Sequence, residues 1–227
     1  MTLFHYPKTR HTRKLKPRQF NNYRTYKRYL QNEFTRLCVY CRQPDCSAPN
    51  LNFGVDHYRP KSINRFAKLE CEYSNLYYCC SNCNSRKNDD WPVDETAGPY
   101  VVNPCEHEMT AHLRFDSQTG LVESKTANGQ HTVTLLQLND IASVQYRLGT
   151  LKTVTLYSDE IRKLEKQLIA IGKLQRAGNL SQSDYDRYKA EIENELQLAR
   201  TTLQSHNGDL PLPPLQNKRK GIPLLIP

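Results

Sequence analysis

Two Cys-x-x-Cys pairs, Cys38/Cys41 and Cys80/Cys83, stand 38 residues apart in a chain of 227. Each pair can turn two thiolates toward one ion, and two pairs complete the closed tetrahedral shell of four sulfurs that structural zinc takes. That closure joins residues 38–83 into one module. A redox pair would sit alone on a thioredoxin-like βαβ unit, and no such pattern surrounds either pair. The start of the chain, MTLFHYPKTRHTRK, lacks the apolar stretch of a secretory signal. No segment approaches the roughly 18 apolar residues of a membrane span, so a cytoplasmic protein without membrane insertion is expected. In that compartment thiols stay reduced and serve metals rather than disulfides. Cys79 could replace Cys80, but the spacing favours Cys80. Cys46, Cys71 and Cys105 have no matching partner and read as small buried side chains.

Charge divides the chain unevenly. Residues 1–42 hold 11 Lys/Arg against the single acid Glu33, a net +10, while the remaining 185 residues hold 21 Lys/Arg against 22 Asp/Glu, a net −1. A basic excess confined to one end suits a polyphosphate partner, although a solvated tail would carry the same charge. Residues 1–18 are polar and interrupted by Pro7 and Pro17, which predicts an extended arm. Phe20, Tyr23, Tyr26, Leu30, Phe34 and Leu37 recur every three or four residues and predict a helix with one apolar face and core-facing tyrosines.

The expected organisation is therefore a basic arm and helix over 1–37, a zinc module over 38–92 and a hairpin extension over 93–138. A helical hairpin over 139–207 and a Pro-rich tail over 208–227 complete it. In the extension, strand signals at Leu113 to Phe115 and Leu121 to Glu123 flank a turn at 116–120, and Asn128-Gly129 marks a second turn. Asn139 is the expected N-cap of a long helix running to about Arg176. Gly178-Asn179 stops it, and Ser181 with Asp184 begins the next helix.

Zinc knuckles only build structure, so chemistry must come from what lies between them. There the chain reads Val55-Asp56-His57-Tyr58-Arg59-Pro60-Lys61, then Asn75-Leu76, and Asn84, Arg86 and Lys87 directly follow the last zinc Cys. The pattern C-x2-C … D-H-x-x-P-K … N-L … C-x2-C-N-x-x-K resembles the HNH endonucleases of the ββα-metal group, over residues 38–87. The resemblance implies an α+β protein: a ββα-metal, treble-clef-like zinc core carrying an N-terminal basic helix and a C-terminal helical hairpin. It also implies a phosphodiester hydrolase, with DNA the first expected substrate.

Hydrolysis of a phosphodiester needs an activated water, neutralisation of developing charge and a clamp on the phosphate. His57 suits a general base because imidazole titrates near neutrality. Asp56 points to the other side of the same strand, where its oxygen could hold a hard divalent cation. By the resemblance, Asn84 supplies a second oxygen ligand and Asn75 braces the loop that bears His57. Two protein ligands suit Mg2+, which keeps much of its water shell. Asn84 stands where the family has its final His, which leaves the metal preference open. Arg59, Lys61, Arg86 and Lys87 are candidate phosphate contacts. The runs Val102-Asn103-Pro104-Cys105, His112-Leu113-Arg114-Phe115 and Leu136-Gln137-Leu138-Asn139 further resemble bacterial HNH proteins encoded beside ATPases in anti-phage defence systems such as Septu, retrons and Zorya. That resemblance implies an antiviral effector controlled by partner subunits. Two alternatives stay open: a ribonuclease using the same site, and a non-catalytic zinc module that binds nucleic acid.

Overall fold

The structure is a computed structural model and describes residues 3–45, 52–96, 98–212 and 215. Cys46 and the tail from 216 onward lie outside the described residues. The chain divides into two units, residues 1–148 with 211–227, and residues 149–210. The architecture is α+β, with small sheets and several helices.

In the first unit, the helix expected over 20–37 is shorter than its apolar pattern. A 3-10 turn, Tyr23–Tyr26, is capped by Asn22, whose side chain accepts from the Arg24 amide, and α1 then covers Lys27–Glu33. Thr35 and Arg36 enter the left-handed region, with φ of 50° and 62°, and end the helix there. Tyr26, Leu30, Phe34 and Leu37 are buried as the pattern requires.

Strand β1, Phe53–His57, pairs antiparallel with β2, Leu76–Cys80, in a register running from Phe53 opposite Cys80 to His57 opposite Leu76. Helix α2, Ser81–Lys87, leaves β2 without a connecting loop. Both α1 and α2 pack against this sheet, and every residue of β2 is buried. Two strands bury little by themselves, and tyrosines enlarge the core. Tyr26, Tyr29, Tyr40, Tyr58, Tyr77 and Tyr78 are all fully buried. Rings this large each contribute roughly 1.5–3 kcal/mol of apolar burial, provided their hydroxyls find partners. Tyr58 donates to the Val101 carbonyl, Tyr77 to Asn103 and Tyr78 to Asp45.

Helix α3, Met109–His112, leads into β3, Leu113–Phe115, which pairs with β4, Val122–Ser124. Gly120 closes the intervening turn at φ 72°. Asn128-Gly129, expected as a turn, lies instead in the first turn of α4, Ala127–Leu135. The Thr126 hydroxyl caps that helix by accepting from the Gly129 amide at 3.1 Å. Glycine is required at 129 because a Cβ would stand 2.2 Å from the His112 carbonyl oxygen.

Helix α5, Ile141–Arg176, is continuous, and the boundary between the units falls within it. Its cap is Asp140, whose carboxylate accepts from the Ser143 amide at 2.7 Å, and not Asn139. The Asn139 amide instead pairs with both backbone groups of Val122, at 2.8 and 2.9 Å. In the second unit α6, Gln182–Asn207, begins at the Ser181 cap and ends at Gly208, φ 76°. It returns antiparallel to α5, with Leu164 and Leu196 buried, Arg200 bonded to Glu165 at 2.7 Å and Tyr157 beside His206. Among the described residues no helix is long and apolar enough to cross a membrane.

Candidate functional site

The four knuckle cysteines converge. The Sγ atoms of Cys38, Cys41, Cys80 and Cys83 all lie within 4.8 Å of one another, and Cys41 and Cys80 are 3.7 Å apart. A tetrahedral zinc with Zn–S bonds of about 2.3 Å has an edge of about 3.8 Å, so the donor set and its spacing fit that ion. Local backbone explains the choice of cysteines. Cys80 ends β2 and Cys83 lies in the first turn of α2, whereas Cys79, one residue earlier on the strand, alternates to the other face and is buried outside the cluster. A zinc–tetrathiolate carries two net negative charges, and the guanidinium groups of Arg42 and the buried Arg147 lie within electrostatic reach of these sulfurs.

His57 ends β1, and its half-buried ring is held from two sides. Nε2–H donates to the Glu70 carbonyl at 3.0 Å. A carbonyl can only accept, so the neutral ring carries its proton on Nε2 and presents a basic Nδ1. The Tyr23 ring meets the imidazole edge-on, centroids 4.6 Å apart, and the Lys61 ammonium lies 4.5 Å from the centroid of the same tyrosine. Burial, followed by the positive charge of Lys61, pushes the His57 pKa down, against the Glu70 bond and the Asp56 charge that pull it up. The net direction keeps the ring neutral at physiological pH.

Asn75 is buried at the foot of β2 and faces the loop that follows His57. Its Oδ1 accepts from the Arg59 amide at 2.8 Å, and its Nδ2 donates to the Arg59 carbonyl at 3.0 Å and to the Leu69 carbonyl at 3.4 Å. The Tyr58 amide donates to the Asn75 carbonyl at 2.9 Å, so one asparagine clasps the backbone on both sides of Tyr58.

The pair expected to hold a divalent ion is placed differently. Asp56 is only 3% exposed, and its two carboxylate oxygens accept from the Tyr40 hydroxyl and, at 3.2 Å, from the Lys87 ammonium. Lys87 is 1% exposed and also donates to the His57 carbonyl at 2.8 Å. It is therefore an internal counter-ion rather than a phosphate contact. Asn84 stands one helical turn before it on α2, half-buried. As arranged, the charge of Asp56 is already met, and a divalent ion could reach that carboxylate only by displacing an ammonium. The residues do not fit such an ion in this arrangement.

The other expected phosphate contacts also have internal partners. Arg86 is tied to the end of α4, donating to the Leu136 and Gln137 carbonyls and pairing with Asp140 at 2.7 Å, so it braces the α4–α5 junction. Arg59 pairs with Glu106 at 2.9 Å and lies over Trp91. Lys61 pairs with Glu70 at 2.7 Å on the surface, where water screens the interaction and leaves the ammonium exchangeable.

Three contributors to the site carry little or no sequence signal. Tyr23 was expected in the core and instead touches His57. The Glu70 carbonyl, which sets the tautomer, carries no sequence signal at all, since any residue supplies it. The buried role of Lys87 had one faint sign, its place one helical turn beyond Asn84 on α2. Compared with family models, with curated proteins and with solved structures, the chain matches none.

Proposed function

We propose that the chain hydrolyses phosphodiester bonds in nucleic acid, with DNA its first substrate, as an HNH-type endonuclease serving anti-phage defence. The observation that carries this reading is His57: a neutral imidazole with Nε2–H tied to Glu70, at the end of a hairpin strand inside a strand–strand–helix unit clamped by four cysteines. In this reading Nδ1 takes a proton from water as the water oxygen bonds to phosphorus. The opposite P–O bond breaks, and the departing oxygen is protonated by solvent. Asn75 keeps the loop rigid, and Lys61, once released from Glu70, places a positive charge beside the phosphate.

The test is cleavage of plasmid DNA and of total RNA, each with and without Mg2+ or Mn2+, by the wild type and by His57→Ala. The variant must retain zinc and a folded spectrum. Loss of a positioned base costs about 10²–10⁴-fold in rate. Wild-type activity should rise with pH through a value below the ordinary imidazole 6.5 and be level by neutrality, because burial lowers the His57 pKa. Equal activity in the variant would remove His57 from the mechanism. One observation favours a second reading, a non-catalytic nucleic-acid-binding zinc module: the Lys87 ammonium stands against Asp56 where the resemblance implies a metal. Binding without cleavage by either protein would select it.

A further inference from the structure

Between residues 10 and 18 the chain forms no helix or sheet strand, and its exposure alternates strictly. Arg10, Thr12, Lys14, Lys16 and Arg18 are exposed, while His11, Arg13, Leu15 and Pro17 are half-buried. The inward set is anchored. The His11 amide donates to the Pro104 carbonyl at 2.7 Å, and its Nε2 bonds to Glu33 at 2.8 Å. The Lys14 and Leu15 amides donate to the two oxygens of the same carboxylate, at 2.7 and 2.9 Å. The Arg13 guanidinium donates to the Leu76 carbonyl at 2.7 Å and sits against the rings of Phe34, Tyr73 and Tyr77, 4.7 to 5.0 Å from each centroid. The arm is thus fastened to α1 and β2 through the side chains of His11 and Arg13 and the amides of Lys14 and Leu15, while the even-numbered side chains stay exposed.

We infer that Arg10, Lys14, Lys16 and Arg18 form a fixed rail that binds the phosphate backbone of one nucleic-acid strand and leads it toward His57; this rests on the nuclease reading only for its destination. None of the four forms an ion pair among the described residues. A chain reaches at most about 3.6 Å per residue, so the eight steps from Arg10 to Arg18 span at most about 29 Å. Four cations held in a line recognise a linear polyanion, and their rigid backbone removes the ordering cost that a loose tail would meet on binding. The outward residues include no apolar side chain that could enter a bilayer, which argues against an anionic membrane. Position supplies the destination. Arg18 is five residues from Tyr23, a span of at most about 18 Å, and Tyr23 lies against His57.

The full chain is compared with a variant carrying Arg10→Gln, Lys14→Gln, Lys16→Gln and Arg18→Gln. A control loses the same charge elsewhere, through Lys152→Gln, Lys163→Gln, Lys166→Gln and Lys173→Gln, all exposed on α5. Binding of labelled single-stranded and duplex oligonucleotides is measured by anisotropy between 50 and 200 mM salt, beside vesicles containing phosphatidylserine. Each lost phosphate contact should lower the salt slope by about 0.7 on a single strand. Across that fourfold salt range the wild type should then lose about 50-fold more affinity than the rail variant, and the control should follow the wild type. Equal slopes in wild type and rail variant would overturn the inference, as would an equal loss in the control or binding to vesicles alone. Binding that depends on the rail without any cleavage would sink the nuclease reading and leave the rail standing; cleavage with a slope indifferent to the rail would do the reverse.

Discussion

Glu33 is the one acid among 42 residues with 11 cations, and its side chain is fully buried. Burial alone would raise its pKa, but the bonds from His11 and from the Lys14 and Leu15 amides favour the ionised form and hold it at about 2, against an ordinary 4.5. A native value below the unfolded one means the stabilisation is fully present above pH 4.5 and is lost as pH falls through 2. At about 1.4 kcal/mol per unit, the shift corresponds to about 3 kcal/mol at neutral pH, of which about 2 kcal/mol is gone by pH 3. Glu33→Gln removes the titration while keeping size and one carbonyl oxygen. Urea unfolding of both zinc-loaded proteins from pH 7 to pH 3 should show the stability gap narrowing by about 2 kcal/mol, most of it below pH 4.5. Acid loss of zinc is common to the two proteins and cancels in the difference. Hydrogen exchange offers a local reading, because the Lys14 and Leu15 amides should be protected in the wild type and exchange faster in the variant. A gap that does not change with pH would refute the reasoning, since it would show that the carboxylate is not ionised through its arm contacts.

The buried Asp56–Lys87 pair should behave as a unit. Asp56→Asn and Lys87→Met should each cost about 3–5 kcal/mol by leaving one charge buried alone, whereas the double variant should cost far less than their sum. Additivity within about 0.5 kcal/mol in urea unfolding would show that the two do not interact. For the metal, Cys80→Ser should lose zinc, measured by atomic absorption, while Cys79→Ser should keep it, since Cys79 lies outside the cluster. The opposite pattern would exchange the ligand assignment. A strong chelator should expose four further thiols to a thiol reagent and unfold the β1–β2–α2 segment, because binding free energy in such sites is folding free energy.

What could be read from sequence followed from spacing and from covalent short range. The clustering of Cys38, Cys41, Cys80 and Cys83 was legible because two Cys-x-x-Cys pairs allow few geometries, and the C-terminal helix boundaries because Ser181 and Gly208 punctuate them. The Leu113 to Ser124 hairpin was legible from a five-residue turn between short apolar runs. Helix α4 was not, because Asn-Gly is a turn signal that Thr126 capping and a tight approach to His112 override. Nor were the partners of Asp56. An Asp-His dipeptide says which groups are available, but whether a carboxylate meets a metal, a tyrosine or an ammonium is decided by Tyr40 and Lys87, 16 and 31 residues away. Side-chain charge state is a tertiary property, and local pattern does not reach it.

The same limit applies to the arm, where net charge is a sum over residues with opposite duties. Arg13 is spent on an aromatic cage and Arg36 on the buried Asp45, while Arg10, Lys14, Lys16 and Arg18 stay exposed, Arg18 with its guanidinium 5.1 Å from the Phe20 ring centroid. Truncation of residues 1–18 would therefore be a poor probe of the electrostatics. It would remove the outward cations together with Arg13, the His11 partner and the two amides that satisfy Glu33, leaving a buried carboxylate without most of its donors. Breaking such a site costs several kcal/mol through desolvation alone. A truncated chain that failed to bind nucleic acid would then report on folding as much as on phosphate contacts. Substitution of the even-numbered side chains separates the two, because over nine residues those side chains are exposed while the odd-numbered ones are half-buried and the anchoring amides of Lys14 and Leu15 stay in place.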